Sequence, residues 1–237
     1  MNILAIIPAR DGSKGIKNKN IRNFNGRPLL AYTIKQAKQS PLLTRIIVST
    51  DSEKIASVAK ACGAEVPYLR PKALARQTSL VADAVLHLLD ILKRMENYSP
   101  DCIMLLQPTS PLRTTVDIET SIQIFKKSGA DAIVSVCEVE SAVFYKGKNG
   151  CLISANPSIV STNRQENKKL YKLDGSAIYL IKTNIFRRYQ SFMAGKLFGY
   201  EIDRWRAVDI DEPQDFVLGE LINKNLRVLK KKISDFK

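Results

Sequence analysis

The sequence predicts an α/β fold, a mostly parallel sheet with helices on both faces, and three observations predict it. Apolar runs of strand length alternate with amphipathic segments of helix length through the first 136 residues. At 237 residues the chain suits one large domain spanning 1–237, with room for a smaller excursion inside it. The alternation then breaks over residues 139–172, where short polar and turn-rich stretches read as a small β-rich excursion from the main sheet.

Taken in order, "NILAIIP" (2–8) reads as a buried strand. "LLAYTIKQAKQS" (29–40) reads as the helix after it, with Leu29, Leu30, Thr33, Ile34 and Ala37 at helical spacing. "RIIVST" (45–50) is the next strand and "DSEKIASVAKACG" (51–63) the next helix, with Asp51 or Ser52 as N-cap and Gly63 as its stop. A strand "AEVPYL" (64–69), a helix over 80–95, the strand "CIMLLQ" (102–107), a helix over 115–127 and the strand "DAIVSV" (131–136) continue the rhythm. Within the excursion, Asn149-Gly150 is a strong hairpin signal. The chain returns through "AIYLI" (177–181) and a strand "RAVDID" (206–211), and ends in a long helix after Pro213.

Composition narrows the function classes. Hydrophobic residues at 45% and charged residues at 25% are ordinary for a folded domain. The longest apolar runs fall far short of the roughly 20 residues that cross a bilayer, so no membrane partner and a cytoplasmic location are expected. Cys62, Cys102, Cys137 and Cys151 lack any C-x-x-C pairing and read as reduced thiols. His87, the single histidine, sits in an apolar helix, which leaves no histidine triad or histidine metal site to build. The net charge of +14 calls for an anion, and nucleic acid, a membrane surface and a polyphosphate all qualify. Part of that charge lies in "NKNLRVLKKKISDFK" at the C-terminus, which reads as the solvated face of an amphipathic helix.

The most informative stretch is "IIPARDGSKGIKNKN" (6–20), a basic, glycine-bearing loop leaving the carboxyl end of the first strand. Ligands of open α/β sheets bind at such ends. Successive backbone N–H groups and lysines supply the donors and positive charge that a polyphosphate needs. The loop has neither the G-x-x-x-x-G-K-[ST] spacing nor G-x-G-x-x-G, so the two named phosphate loops, and with them a nicotinamide oxidoreductase, do not fit.

With "RIIVSTD", "LLQPTSPLR" and "AVDIDEPQDF" later in the chain, this stretch resembles the acylneuraminate cytidylyltransferases, or CMP-sialic acid synthetases, a group that includes the legionaminic and pseudaminic acid enzymes. The resemblance runs almost end to end and in the same order. It implies a Rossmann-like domain that transfers CMP from CTP to the anomeric hydroxyl of a nine-carbon keto acid and releases pyrophosphate. It also implies a homodimer, with the 139–172 excursion reaching the partner's site, and Mg²⁺ (or Mn²⁺) as cofactor.

On these residues Arg10, Ser13, Lys14, Lys19 and Asn20 match the nucleotide-binding signature, and Arg10 with the lysines would offset charge on the departing pyrophosphate. Asp11 stands where the family has a neutral residue, and its carboxylate must face away from the phosphates or help to hold a metal. Asp209 and Asp211, two apart on the expected strand end, would point the same way and are the implied metal ligands, with Asp211 assisting deprotonation. Asp211 could instead cap the following helix. Gln107 is implied in reading the sugar, with Pro108 and Pro111 fixing the turn after it and Arg113 exposed if that turn is merely structural. Arg70, Thr78 and Ser79 are expected near the nucleotide, and Lys146, Arg164 and Asp174 near the sugar acid, in a segment one residue longer than the family's. The same reaction on Kdo or an amino-sugar relative is the near alternative. A nucleic-acid-binding protein is the remote one, and aromatic residues at 7% argue against it, so no nucleic-acid partner is expected.

Overall fold

The computed structural model describes residues 1–139, 143–155, 169–173 and 177–236. From the N-terminus run β1 (Ile3–Pro8), the two-residue strands β2 (Asn23–Phe24) and β3 (Arg27–Pro28), α1 (Leu29–Gln39), β4 (Arg45–Ser49), α2 (Glu53–Ala61) and α3 (Val81–Glu96). There follow β5 (Cys102–Leu105), α4 (Thr115–Ser128), β6 (Ala132–Val139), β7 (Phe144–Lys146) and β8 (Leu152–Ser154). The chain closes with β9 (Leu170–Leu173), β10 (Tyr179–Lys182), α5 (Thr183–Tyr189), β11 (Leu197–Glu201), α6 (Pro213–Lys224) and α7 (Leu226–Ser234).

Among the described residues the main sheet has seven strands in the order β11-β6-β10-β5-β1-β4, with β9 also paired to β6. β4, β1, β5, β6 and β11 share one direction, while β10 and β9 run against it. Alternation along β1 shows why helices cover both faces. Ile3, Ala5 and Ile7 pack with Leu30 and Ile34 of α1, Ile55 of α2 and Ile118 and Ile122 of α4. Leu4 and Ile6 face the other way, onto Val85, Leu88 and Leu89 of α3 and Phe186 of α5. Each such side chain removed from water is worth about 1.5–3 kcal/mol, so the strand is committed to the centre of a two-faced sheet.

Helix ends follow local chemistry. Thr114 and Asp117 form a capping box at the start of α4, and Gly129 stops it with φ 63°. Ser52 takes the N-cap position of α2 without a side-chain cap bond. Pro213 opens α6 under a second box made by Glu212 and Asp215.

Several expectations need correction. "AEVPYL" is not a strand, touching the sheet only through an isolated bridge between Ile47 and Glu65. "RAVDID" is not one either: Arg204–Arg206 form a 3-10 turn and the chain to Asp211 runs without a ladder partner. β11 was not expected, and the terminal helix is two, broken at Asn225. Inside 139–172, β7 and β8 form an antiparallel hairpin apart from the main sheet, turning at Asn149 and Gly150 with φ 61° and 81°. Arg164 and Asp174 lie outside the described residues.

Candidate active site

The loop after β1 folds back on itself at the sheet's carboxyl edge. Ala9 N–H extends the β1–β4 ladder to Ser49 O at 2.9 Å. Ten residues on, the buried Asn20 donates Nδ2–H to Arg10 O at 3.0 Å and so closes the loop. Gly15 is pressed against the segment from the far end of the chain: a Cβ there would lie 2.3 Å from Asp211 O. That segment is held in turn by a small apolar cluster of Ile16, Phe24, Leu29, Ile210 and Phe216. The Phe24 ring meets Phe216 edge-on at 5.4 Å, which docks α6 and the residues before it onto the loop.

Between these walls lies a cleft of about 460 Å³. It is lined by Arg10, Ser13, Lys14, Lys19 and Asn20 of the loop, by Arg70 and Gln107, and by Asp211 and Glu212. Four cationic side chains (Arg10, Lys14, Lys19, Arg70) thus share it with two carboxylates, the balance expected of an anion site. Lys19 Nζ donates to Ile210 O at 2.7 Å and to Asp211 Oδ1 at 2.9 Å, while the Asp211 side chain stays 69% exposed.

Arg70 is fixed from behind by Ser49, whose Oγ accepts from Nε at 3.1 Å and whose carbonyl accepts from a terminal nitrogen at 2.7 Å. Burial lowers the Arg70 guanidinium from its ordinary range, Asp51 opposes that shift, and the charge of Arg10 adds to it. An anion between the two guanidiniums relieves both effects. Asp11 turns onto the loop's own backbone: its carboxylate accepts Gly12 N–H at 2.9 Å, and it is not among the residues lining the cleft.

Other expected residues are placed elsewhere. Thr78 is exposed and Ser79 Oγ donates to Ala73 O at 3.0 Å; Gln77 and Val81, on either side of them, line the cleft instead. The stretch "QTSLV" carried the signal, but not which of its residues turn inward. Lys146 lies exposed on the β7–β8 hairpin. Arg113 is not an exposed turn residue: it is 2% exposed and donates to Ala177 O, Thr33 Oγ1 and Gln36 Oε1, bracing the turn that carries Gln107. Asp209 lines a neighbouring depression of about 530 Å³ with Lys172 and Asp215, whereas Asp211 lines the cleft.

A hard divalent cation fits the donor set. Among the described residues no three His, Cys, Asp or Glu side chains gather as a cage, and of the two carboxylates that line the cleft Glu212 is engaged in the cap of α6, which leaves Asp211. That is the environment of an ion completed by substrate phosphate oxygens and water.

Comparison with known proteins agrees with this geometry. A family model described as cytidylyltransferase matches residues 4–232. The chain is 37% identical over 228 residues to the CMP-N,N'-diacetyllegionaminic acid synthase of Legionella pneumophila, covering 93% of this chain and 95% of that one. It is 29% identical to the pseudaminic acid cytidylyltransferase of Campylobacter jejuni, with 94% and 97% covered. In fold it is similar to CMP:2-keto-3-deoxy-manno-octonic acid synthetase, solved in complex with CTP, with a TM-score of 0.71 at 15% identity, covering 95% of this chain and 99% of that one. The family match encloses every residue placed in the cleft, and the chain belongs to the cytidylyltransferase family, as a nucleotidyltransferase.

Proposed function

We propose that the enzyme transfers CMP from CTP to the anomeric 2-hydroxyl of a nine-carbon nonulosonic acid and releases pyrophosphate. The observation that carries this reading is the one cleft lined by Arg10, Lys14, Lys19 and Arg70 together with Gln107 and Asp211. The relatives named above for legionaminic and pseudaminic acids direct the choice of acid. Arg10 and Lys14 take the triphosphate and offset the charge that builds on departing pyrophosphate. Lys19 exchanges part of its contact with Asp211 for phosphate oxygen, and Asp211 accepts the hydroxyl proton as attack proceeds. Gln107 and the segment of Lys146, Arg164 and Asp174 read the sugar acid. Asp211 would hold Mg²⁺ (or Mn²⁺), with Asp209 as second candidate ligand once its carboxylate turned out of the recess that it lines. An ion bound there would lower the pKa of the attacking hydroxyl and neutralise phosphate charge.

The enzyme is proposed to act as a homodimer in the cytoplasm. The hairpin of β7 and β8 exposes Phe144, Tyr145, Leu152 and Ile153, a patch suited to a second copy of the chain. The test is pyrophosphate release from CTP and Mg²⁺ with N-acetylneuraminate, diacetyllegionaminate, pseudaminate and Kdo in turn. Release with a nonulosonic acid, abolished in Asp211→Ala, is the expected result; a chain that does not bind CTP at all overturns the reading.

A further inference from the structure

Asp117 is 2% exposed, and its carboxylate accepts far more than its helix cap requires. A capping box uses one acceptor for the N-cap N–H, and Asp117 Oδ2 meets that need at Thr114 N, 2.6 Å away. The same oxygen also accepts from Arg206 at 2.6 Å. The other oxygen accepts from Tyr200 Oη at 2.7 Å and from the second terminal nitrogen of Arg206 at 3.0 Å. The Arg206 side chain, 11% exposed, reaches back to Asp203 as well, at 3.3 Å.

The two ends of this pair belong to two different segments that reach the cleft, the one that carries Gln107 and the one that carries Asp211. Asp117 sits in the first turn of α4, directly after the turn that carries Gln107, Pro108 and Thr109. Arg206 sits five residues before Asp211, on a segment that leaves the sheet at Ile202, whose N–H donates to Val136 O at 2.8 Å. No ladder supports that segment, and it rejoins the body where Ile210 N–H donates to Thr109 O at 2.9 Å. The Arg206 fork and the Ile210 amide are therefore two ties between the same pair of segments. A buried ion pair is weak support for stability but fixes geometry well, because a guanidinium fork accepts a carboxylate in one orientation.

We propose that Asp117 and Arg206 are positioning residues for nucleotidyl transfer: together they set the wall bearing Asp211 against the wall bearing Gln107, and so the attacking sugar against the α-phosphate. The inference rests on the transfer reading above. It separates binding from reaction, because the pair bonds to none of Arg10, Lys14 and Arg70, and the loop has its own ties to the Asp211 segment through Gly15 and Lys19.

The test compares Asp117→Asn and Arg206→Lys with the wild-type enzyme by thermal denaturation, by calorimetric CTP binding without sugar acid, and by steady-state pyrophosphate release well below each variant's Tm. Asp117→Asn keeps one acceptor oxygen, for Thr114 N, and turns an NH2 toward Tyr200 Oη, which can accept as well as donate, but it breaks the fork because that nitrogen cannot accept from Arg206. A displacement of about 1 Å between reacting groups costs up to about 10²-fold, so kcat falls by about ten- to a hundred-fold while the CTP Kd stays within about two-fold. Arg206→Lys keeps the charge without the fork and restores Tm more fully than kcat. A merely structural pair moves Tm alone. Wild-type kcat in folded Asp117→Asn, or CTP affinity lost in step with kcat, overturns the proposal. A wild-type enzyme that releases no pyrophosphate with any acid overturns the transfer reading first, and this one with it.

Discussion

Two glycines of the basic loop, three residues apart, separate backbone freedom from close packing. Gly12 has φ 72° with nothing near a built Cβ, so Gly12→Ala meets only the penalty of the left-handed region, about 1–2 kcal/mol. Gly15 carries no such conformational demand, but an added Cβ would lie 2.3 Å from Asp211 O and 3.0 Å from Glu212 Oε1. Carbon and carbonyl oxygen approach to about 3.3 Å, so the loop and the Asp211 segment must part by about 1 Å. Overpacking of that kind costs about 1–3 kcal/mol, and a chain of this size loses about 2–4 °C of Tm per kcal/mol. The two variants therefore melt within a few degrees of each other. Their rates diverge: a shift of about 1 Å across the site costs Gly15→Ala up to about 10²-fold in kcat/KM for pyrophosphate release, and Gly12→Ala little. Equal activity in the two variants would refute the packing of the loop against the Asp211 segment as the reason for Gly15.

Burial pushes the Asp117 carboxyl up, but bonds and charge from Arg206, then Tyr200 and Thr114, hold it below the usual aspartate range. Its contribution to stability is present above the unfolded-chain value near 4 and is lost as pH falls through the lower folded value. In Arg206→Met burial is opposed only by the Tyr200 and Thr114 bonds, the folded value rises, and the Tm gap to wild type narrows as pH is lowered from 7; a gap that widens contradicts this assignment. Leu152 is 69% exposed on the hairpin, so Leu152→Glu leaves the fold of the single chain intact, shifts sedimentation from dimer to monomer and lowers Tm only by what the partner copy contributed; a variant that sediments as wild type removes the hairpin from the proposed dimer contact. The Lys19–Asp211 pair is mostly exposed on its acidic side and is worth about 0–1 kcal/mol, but Lys19 also donates to Ile210 O, so Lys19→Met loses about 1–3 kcal/mol more at that carbonyl. Under the proposed role, loss of this cation costs about 10²–10³-fold in kcat, and activity within ten-fold of wild type removes Lys19 from the chemistry.

Elements whose reason is local were legible in the sequence. β1, α1, α3 and α4 announce themselves by apolar period, because burying one stripe or two faces needs no knowledge of the partner. β11 was hidden for the opposite reason. "LFGYE" holds a central glycine and mostly exposed side chains, and it becomes a strand only by pairing with β6. "RAVDID" erred the other way: its alternation is that of a strand, but Arg206 is drawn to Asp117 and Ile210 to Thr109, so no neighbour completes a ladder. The reversed direction of β10 depends on chain path rather than composition, and no residue of "AIYLI" encodes it.

The same division runs through the candidate site. Arg10, Lys14, Lys19 and Gln107 could be named because charge and strand ends mark them in sequence, and resemblance ordered them. The bonds that hold the site could not, even where the residue itself, Asn20 or Arg70, was marked. Asn20 serves the cleft by binding Arg10 O, Arg70 is aimed by Ser49, and Arg113 braces the Gln107 turn from inside. Each of these is a polar side chain whose partner is a backbone atom or hydroxyl at a distance that sequence does not fix. Between Asp209 and Asp211 the same limit decides which cavity each lines, since without a strand the period-two rule does not hold and the pair divides between two neighbouring recesses. Charge along the chain therefore tells which ligand the site receives, while the buried bonds that set one wall against the other tell where the reaction can occur.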